Sequence, residues 1–153
     1  MPFPSSDSVA SNSFDLVHVD LWGPYKMPSL SGAVYFLTIL DDHTRVTWTH
    51  LLHHKTQVFS ILSAFIEYVH TQFHVKIKMI RSDNGTEFIQ QSCTALFSEK
   101  GIVHQKTVPG NPQQNGRVER KHRHLPETAR TIRFHAALPY KFWGDCACCY
   151  LSY

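Results

Sequence analysis

The sequence predicts an α/β layer fold, and three observations carry that prediction. Two β-branched and aromatic runs, Val34 to Leu40 and Arg45 to Leu52, flank the polar stretch Asp41-Asp42-His43-Thr44, as the arms of a hairpin do. From Lys55 to Phe73, Val58, Ile61, Leu62, Phe65, Ile66 and Val69 recur at spacings of three and four, the stripe of a helix that covers a sheet. The pattern then returns to a short alternation, so strands and helices interleave.

The elements follow in chain order. Residues 1 to 13 are rich in Ser and Pro and are expected to be a mobile lead-in, with the domain running from 14 to 153. Phe14 to Leu21 alternates as a strand and ends at Trp22-Gly23-Pro24, where Gly-Pro marks a turn. The hairpin and helix come next. Val75, Ile77 and Met79 alternate with Lys76 and Lys78, predicting a strand from Val75 to Ile80 that ends at Arg81-Ser82-Asp83. Glu87 to Lys100 reads as a second helix closed by Gly101, and Ile102 to Val108 as a last short strand. A polar loop, 109 to 114, leads to a long helix opened by Asn115 or Gly116, and Pro139 suits the first turn of a final helix.

Composition sets the outer limits. The 153 residues fit one domain, and 42% hydrophobic with 12% aromatic content argues for a folded globule. No apolar run approaches the roughly 20 residues of a membrane span, and the start lacks a signal peptide's apolar stretch. A soluble protein of nucleus or cytoplasm, not a secreted one, is expected. Cys93, Cys146, Cys148 and Cys149 do not form a secreted disulfide framework. Cys146 and Cys149 make a C-x-x-C with no second Cys or His pair at zinc-finger spacing, so small apolar helix residues are preferred over structural zinc.

Charge is uneven along the chain. Residues 1 to 100 carry 7 Lys/Arg and 9 Asp/Glu, whereas 101 to 153 carry 8 and 3. A basic stretch is often only a solvated helix face. Beside a site for phosphodiester chemistry, contact with a DNA backbone is the better reading.

Three acids suggest that site. Asp20 and Asp83 fall at predicted strand ends, where side chains of neighbouring strands can meet, and Glu119 lies on the basic helix after thirty-five intervening residues. Asp is also common wherever a strand stops, so either alone would be ordinary turn capping. Gathered carboxylates repel one another and raise their own pKa values unless a cation holds them ionised, and hard oxygen donors suit Mg²⁺ or Mn²⁺. Two such ions can drive in-line displacement at a phosphodiester. Asp41 and Asp42 are read instead as structural residues of the hairpin connection. Gly85 is expected to let the chain turn sharply after Asp83 by removing the Cβ penalty, and Glu87 to support the first turn of the next helix.

The motifs HVDLWGP (18 to 24), YFLTILDDHTRVTW (35 to 48), SDNGTEF (82 to 88), PGNPQQNGRVERKHRHL (109 to 125) and LPYKFWGD (138 to 145) together resemble the catalytic core of a copia-type LTR retrotransposon integrase, related to retroviral integrases. The resemblance implies an RNase H-like fold: a five-stranded mixed sheet with helices on both faces. It implies Asp20, Asp83 and Glu119 as metal ligands, with two Mg²⁺ or Mn²⁺ ions when DNA is bound. It also implies DNA as partner, a possible homodimer, and a mobile active-site loop at 109 to 116. Asn84, Gln114, Asn115, Arg120, Lys121, His122 and Arg123 are the candidate DNA contacts, with Lys55 and Arg81 as secondary ones. No membrane or small-molecule cofactor is expected.

The activity implied is 3′-end processing and strand transfer; a binding or oligomerisation module that keeps the fold is the alternative, and a simple nuclease a third. Two departures bear on that choice. Pro126 falls about ten residues into the predicted helix, where it removes an amide donor and clashes with the His122 carbonyl, costing on the order of 3 kcal/mol. Integrases of this family also carry an upstream His/Cys zinc module and a C-terminal DNA-binding region, so a fragment of a polyprotein is expected.

Overall fold

The computed structural model describes residues 9–107, 127, 130–131 and 134–149. Five strands, β1 (Leu16–Trp22), β2 (Tyr35–Asp41), β3 (Thr47–Leu52), β4 (Met79–Ser82) and β5 (Val103–Lys106), form one sheet in the order β3-β2-β1-β4-β5. The β1, β2 and β3 strands run antiparallel, while β4 lies parallel to both β1 and β5. Helices with described bounds are α1 (Gln57–Phe73), α2 (Thr86–Ile89), α3 (Gln91–Lys100) and, after a 3₁₀ turn at Tyr140–Phe142, α4 (Trp143–Cys149); Glu127, Arg130, Thr131, Phe134 and His135 are helical as well. This is the RNase H-like α/β arrangement that the motifs imply.

Strand alternation decides which side chains face which helices. Val17 and Val19 of β1 share a face with Leu37 and Ile39 of β2 and Ile80 of β4, all nearly solvent-free. Onto them α1 lays Val58, Leu62, Phe65, Ile66 and Val69, and α3 lays Cys93, Leu96 and Phe97. Each such side chain withdrawn from water stabilises the fold by about 1.5–3 kcal/mol before entropy is counted. His18, Asp20, Phe36, Thr38 and Arg81 point to the opposite face. There Trp143 at the start of α4 stacks on Tyr25 at 4.4 Å, lies beside Phe36, and donates its indole N–H to the Met27 carbonyl at 2.9 Å. A Cβ at Gly144 would meet Leu51 Cδ1 at 2.9 Å, so this helix packs close to the sheet and helices cover both faces.

Three sequence expectations change. The strand predicted from Val75 begins only at Met79, because its neighbours begin at Leu16 and Val103 and residues 75–77 have no ladder to join. The single helix expected from Glu87 to Lys100 is broken at Gln90, whose ψ of 154° is extended. On one continuous helix Phe88 and Phe97, nine residues apart, would point about 180° from each other. Both are buried in the same core, and the break rotates α2 so that they can be. Gly101 ends α3 at φ 70°, the left-handed cap expected of it. The third change concerns Gly85 and belongs to the site. Cys93 and Cys146 are buried thiols, as small apolar helix residues should be.

Candidate metal and nucleic-acid site

β4 ends at Ser82, while its parallel neighbour β1 runs on to Trp22. His18 of β1 is in register with Arg81 of β4, so Asp83, just past the end of β4, stands beside Asp20, which lies within β1 two residues before its end rather than at the strand end that the sequence suggests. Asp20 lies opposite Thr38 of β2, whose hydroxyl donates to the Asp20 carbonyl at 3.4 Å. Asp83 follows the last residue of β4, and its Oδ1 accepts the Gly85 amide at 2.9 Å. Asn84, between them, is exposed.

The electrostatics mark Asp83 as the strained acid. Partial withdrawal from water pushes its carboxyl above the usual range, the negative charges of Asp20 and Glu87 push the same way, and the Gly85 amide and Lys55 only partly oppose them. The geometry around Gly85 explains the crowding. Its φ of −57° is open to any residue, so handedness is not what requires glycine here. A Cβ would lie 2.5 Å from Glu87 Oε1 and 2.8 Å from Asp83 Oδ1, so the two carboxylates face each other across the one residue that leaves room for both.

Glu87 is in the first turn of α2, as the sequence suggests, yet its main partner comes from elsewhere. Its side chain is 7% exposed, and Lys55 Nζ, from the turn before α1, approaches Oε2 at 3.6 Å. Thirty-two positions separate the two, and no local pattern signals their meeting.

The acids of the hairpin turn behave differently. Asp41 accepts the Phe14 amide at 2.8 Å, the Thr44 amide at 3.1 Å and the Thr44 hydroxyl at 2.7 Å. Asp42 accepts the Ala10 amide at 2.7 Å and faces the His18 ring at 2.9 Å, with Arg45 at 3.7 Å. Burial pushes the Asp42 carboxyl up, but these donors outweigh it and hold it below the usual range. Both acids are structural, as the sequence implies.

Glu119, Gln114, Asn115, Arg120, Lys121, His122, Arg123 and Pro126 lie outside the described residues. Among the described residues, no three His, Cys, Asp or Glu side chains are grouped so as to hold a metal ion. Asp20 and Asp83 fit as two hard oxygen donors, one of them with a carboxyl that a cation would relieve.

An integrase core domain model matches residues 10–112, a span that includes both acids. The chain belongs to the integrase core family. It is of the copia type, and its relatives are plant mobile-element polyproteins. It is 40% identical over 151 residues to the retrovirus-related Pol polyprotein from transposon TNT 1-94 of Nicotiana tabacum, covering 97% of this chain and 11% of that protein. The corresponding proteins from transposons RE1 and RE2 of Arabidopsis thaliana are 34% and 33% identical, each across 94% of this chain and 10% of the relative. The chain thus spans about a tenth of the length of these relatives. No helix among the described residues is long and apolar enough to cross a membrane.

Proposed function

We propose that this integrase core is a nucleic-acid-binding module that takes DNA across the ends of β1 and β4. The observation that carries the proposal is the meeting of Asp20, near the end of β1, with Asp83, just past the end of β4, whose carboxyl is pushed up by partial burial and by the neighbouring acids. A crevice beyond the carboxyl ends of parallel strands is a recurrent place for ligands in α/β sheets. The basic stretch of the sequence supplies the backbone contacts: Arg120, Lys121, His122 and Arg123 neutralise phosphates, and Asn84, Gln114 and Asn115 contact the strand near the acids. The module comprises residues 14–153, with 1–13 as its lead-in, and works as a homodimer in nucleus or cytoplasm. Sedimentation of the purified chain at several concentrations tests the dimer.

The same observation favours a second, finer reading: metal-dependent 3′-end processing and strand transfer, with Asp20, Asp83 and Glu119 as ligands for Mg²⁺ or Mn²⁺. A divalent ion bound there would activate the attacking oxygen and stabilise the leaving oxygen of a phosphodiester. The chain's own part is to hold Asp20 within β1 beside Asp83 at the end of β4, and to keep Asp83 oriented through the Gly85 amide. Fluorescence anisotropy with a short DNA duplex, across salt concentrations, tests the first reading: affinity should fall steeply as salt rises. A Mn²⁺-dependent cleavage and joining assay beside Asp83→Asn tests the second. Salt-insensitive or absent DNA binding would end the first reading, and equal activity in both proteins would end the second.

A further inference from the structure

Lys55 comes from the turn that joins β3 to α1, far in sequence from the acids it approaches. Its carbonyl accepts the Val58 amide at 3.1 Å, which fixes the backbone of that turn on the first residues of α1. The ammonium stands 3.6 Å from Glu87 Oε2 and 6.0 Å from the centre of the Tyr35 ring. Tyr35 opens β2 and pairs with Leu52, the last residue of β3, so both belong to the sheet end where β1 finishes. The positive charge of Lys55 also acts on Asp83.

This cation is therefore held between a buried carboxylate and an aromatic face, each of which restricts where it can go. Its side chain nevertheless remains 47% exposed, and an ammonium has three donors of which Glu87 engages one side. An anionic oxygen lying against the exposed side of the ammonium would be drawn to it. A phosphodiester supplies that oxygen.

We propose that Lys55 is a phosphate-binding residue of the site, anchored by Glu87 and Tyr35 so that its ammonium engages one backbone phosphate of a nucleic acid lying beside Asp83. The inference rests on the DNA-binding reading above and adds to it a contact from outside the basic stretch at 117 to 123. Glu87 is a positioning residue that acts through Lys55.

The test is DNA affinity across salt concentrations, by anisotropy in the presence of EDTA so that metal plays no part. One lost phosphate contact lowers the slope of log K against log salt by about 0.9. Lys55→Met should lower the slope by roughly that amount and weaken binding about tenfold at low salt. Lys55→Arg should keep the slope, and Lys76→Met, at an exposed residue away from the acids, should leave it unchanged. Because Lys55→Met strands a buried carboxylate, the double variant Lys55→Met/Glu87→Gln is measured with it; it removes both charges, its fold is checked by thermal melting, and it should show the same loss of slope. A wild-type slope in the folded double variant would overturn the proposal while leaving the DNA-binding reading intact. Absence of salt-dependent binding in the unaltered chain would overturn both.

Discussion

The two acidic turns at opposite ends of β1 are alike in composition and opposite in condition. Asp41 and Asp42, where β2 runs out beside the start of β1, are met by three amides, a hydroxyl, an imidazole and a guanidinium from the chain itself. Asp83, where β4 runs out beside the end of β1, accepts one backbone amide and faces the charges of two other acids. The first carboxylates are satisfied by folding. The last has its carboxyl pushed up by partial burial and by two neighbouring acids, which the Gly85 amide and Lys55 offset only in part, a condition common at functional sites. Acidity at a strand end therefore does not identify a site; the supply of donors around it does.

Removing a satisfied acid should have the largest effect. Asp41→Ala leaves the Phe14 amide and both donors of Thr44 without their acceptor and should cost about 3 kcal/mol, lowering the melting temperature by roughly 10 °C. A loss below about 1 kcal/mol in thermal or urea unfolding would show that the hairpin acids hold less than their bonds suggest.

Asp83→Asn should behave in the opposite way, changing metal-free stability by no more than about 0.5 kcal/mol. The contrast sharpens with metal. Mn²⁺ at a hundred times its dissociation constant should stabilise the unaltered chain by about 2.7 kcal/mol, and the variant should lose most of that gain. An equal shift of melting temperature in both proteins would place the ion elsewhere.

Gly85→Ala tests the crowding directly. The added carbon must displace the Glu87 carboxylate from its place beside Lys55, at a cost of about 1 kcal/mol. Pairing it with Glu87→Ala, which vacates the space, should recover part of that loss in the same melt.

The smallest effect is in pH dependence, where the signs of the two ends differ. The Asp42 carboxyl is lowered from 3.8, so its stabilisation is present above that value and is lost as pH falls through its folded pKa. Asp83 is raised from 3.8, so its unfavourable contribution is present above its folded pKa and fades as pH falls towards 3.8. Asp42→Asn should therefore flatten acid unfolding below about pH 4, and Asp83→Asn should remove the opposing drift above it. Parallel stability curves for all three proteins would erase the distinction.

What could be read from the sequence followed from short-range pattern. The stripe of α1 needs only the 3.6-residue period, and Gly101 only the left-handed cap. Asp83 falls just past a strand end because Asn84-Gly85 breaks the strand pattern, whereas β1 runs through Asp20 to Trp22, and the meeting of the two acids depends on the parallel register that the motifs imply. The remainder is tertiary. Nothing near Gln90 announces a break, since the break exists to turn Phe88 and Phe97 into one core. Alternation continued through Val75, but a strand is only as long as its partners. Glu87 read locally as a helix-start residue; its pairing with Lys55 arises only when α2 meets the turn before α1.

The register of β1 against β4 also has a consequence for how the site comes into being. Leu16 pairs with Met79, so about sixty residues must be gathered into the hairpin and α1 before those strands can meet. Contacts of such separation close slowly, because the chain loses loop entropy before it gains the ladder. Asp20 and Asp83 become neighbours only at that closure. A growing chain that has made the β1–β3 meander and α1 thus has Asp20 in place but not yet its acidic neighbour, and the pair exists only once β4 has been inserted beside β1.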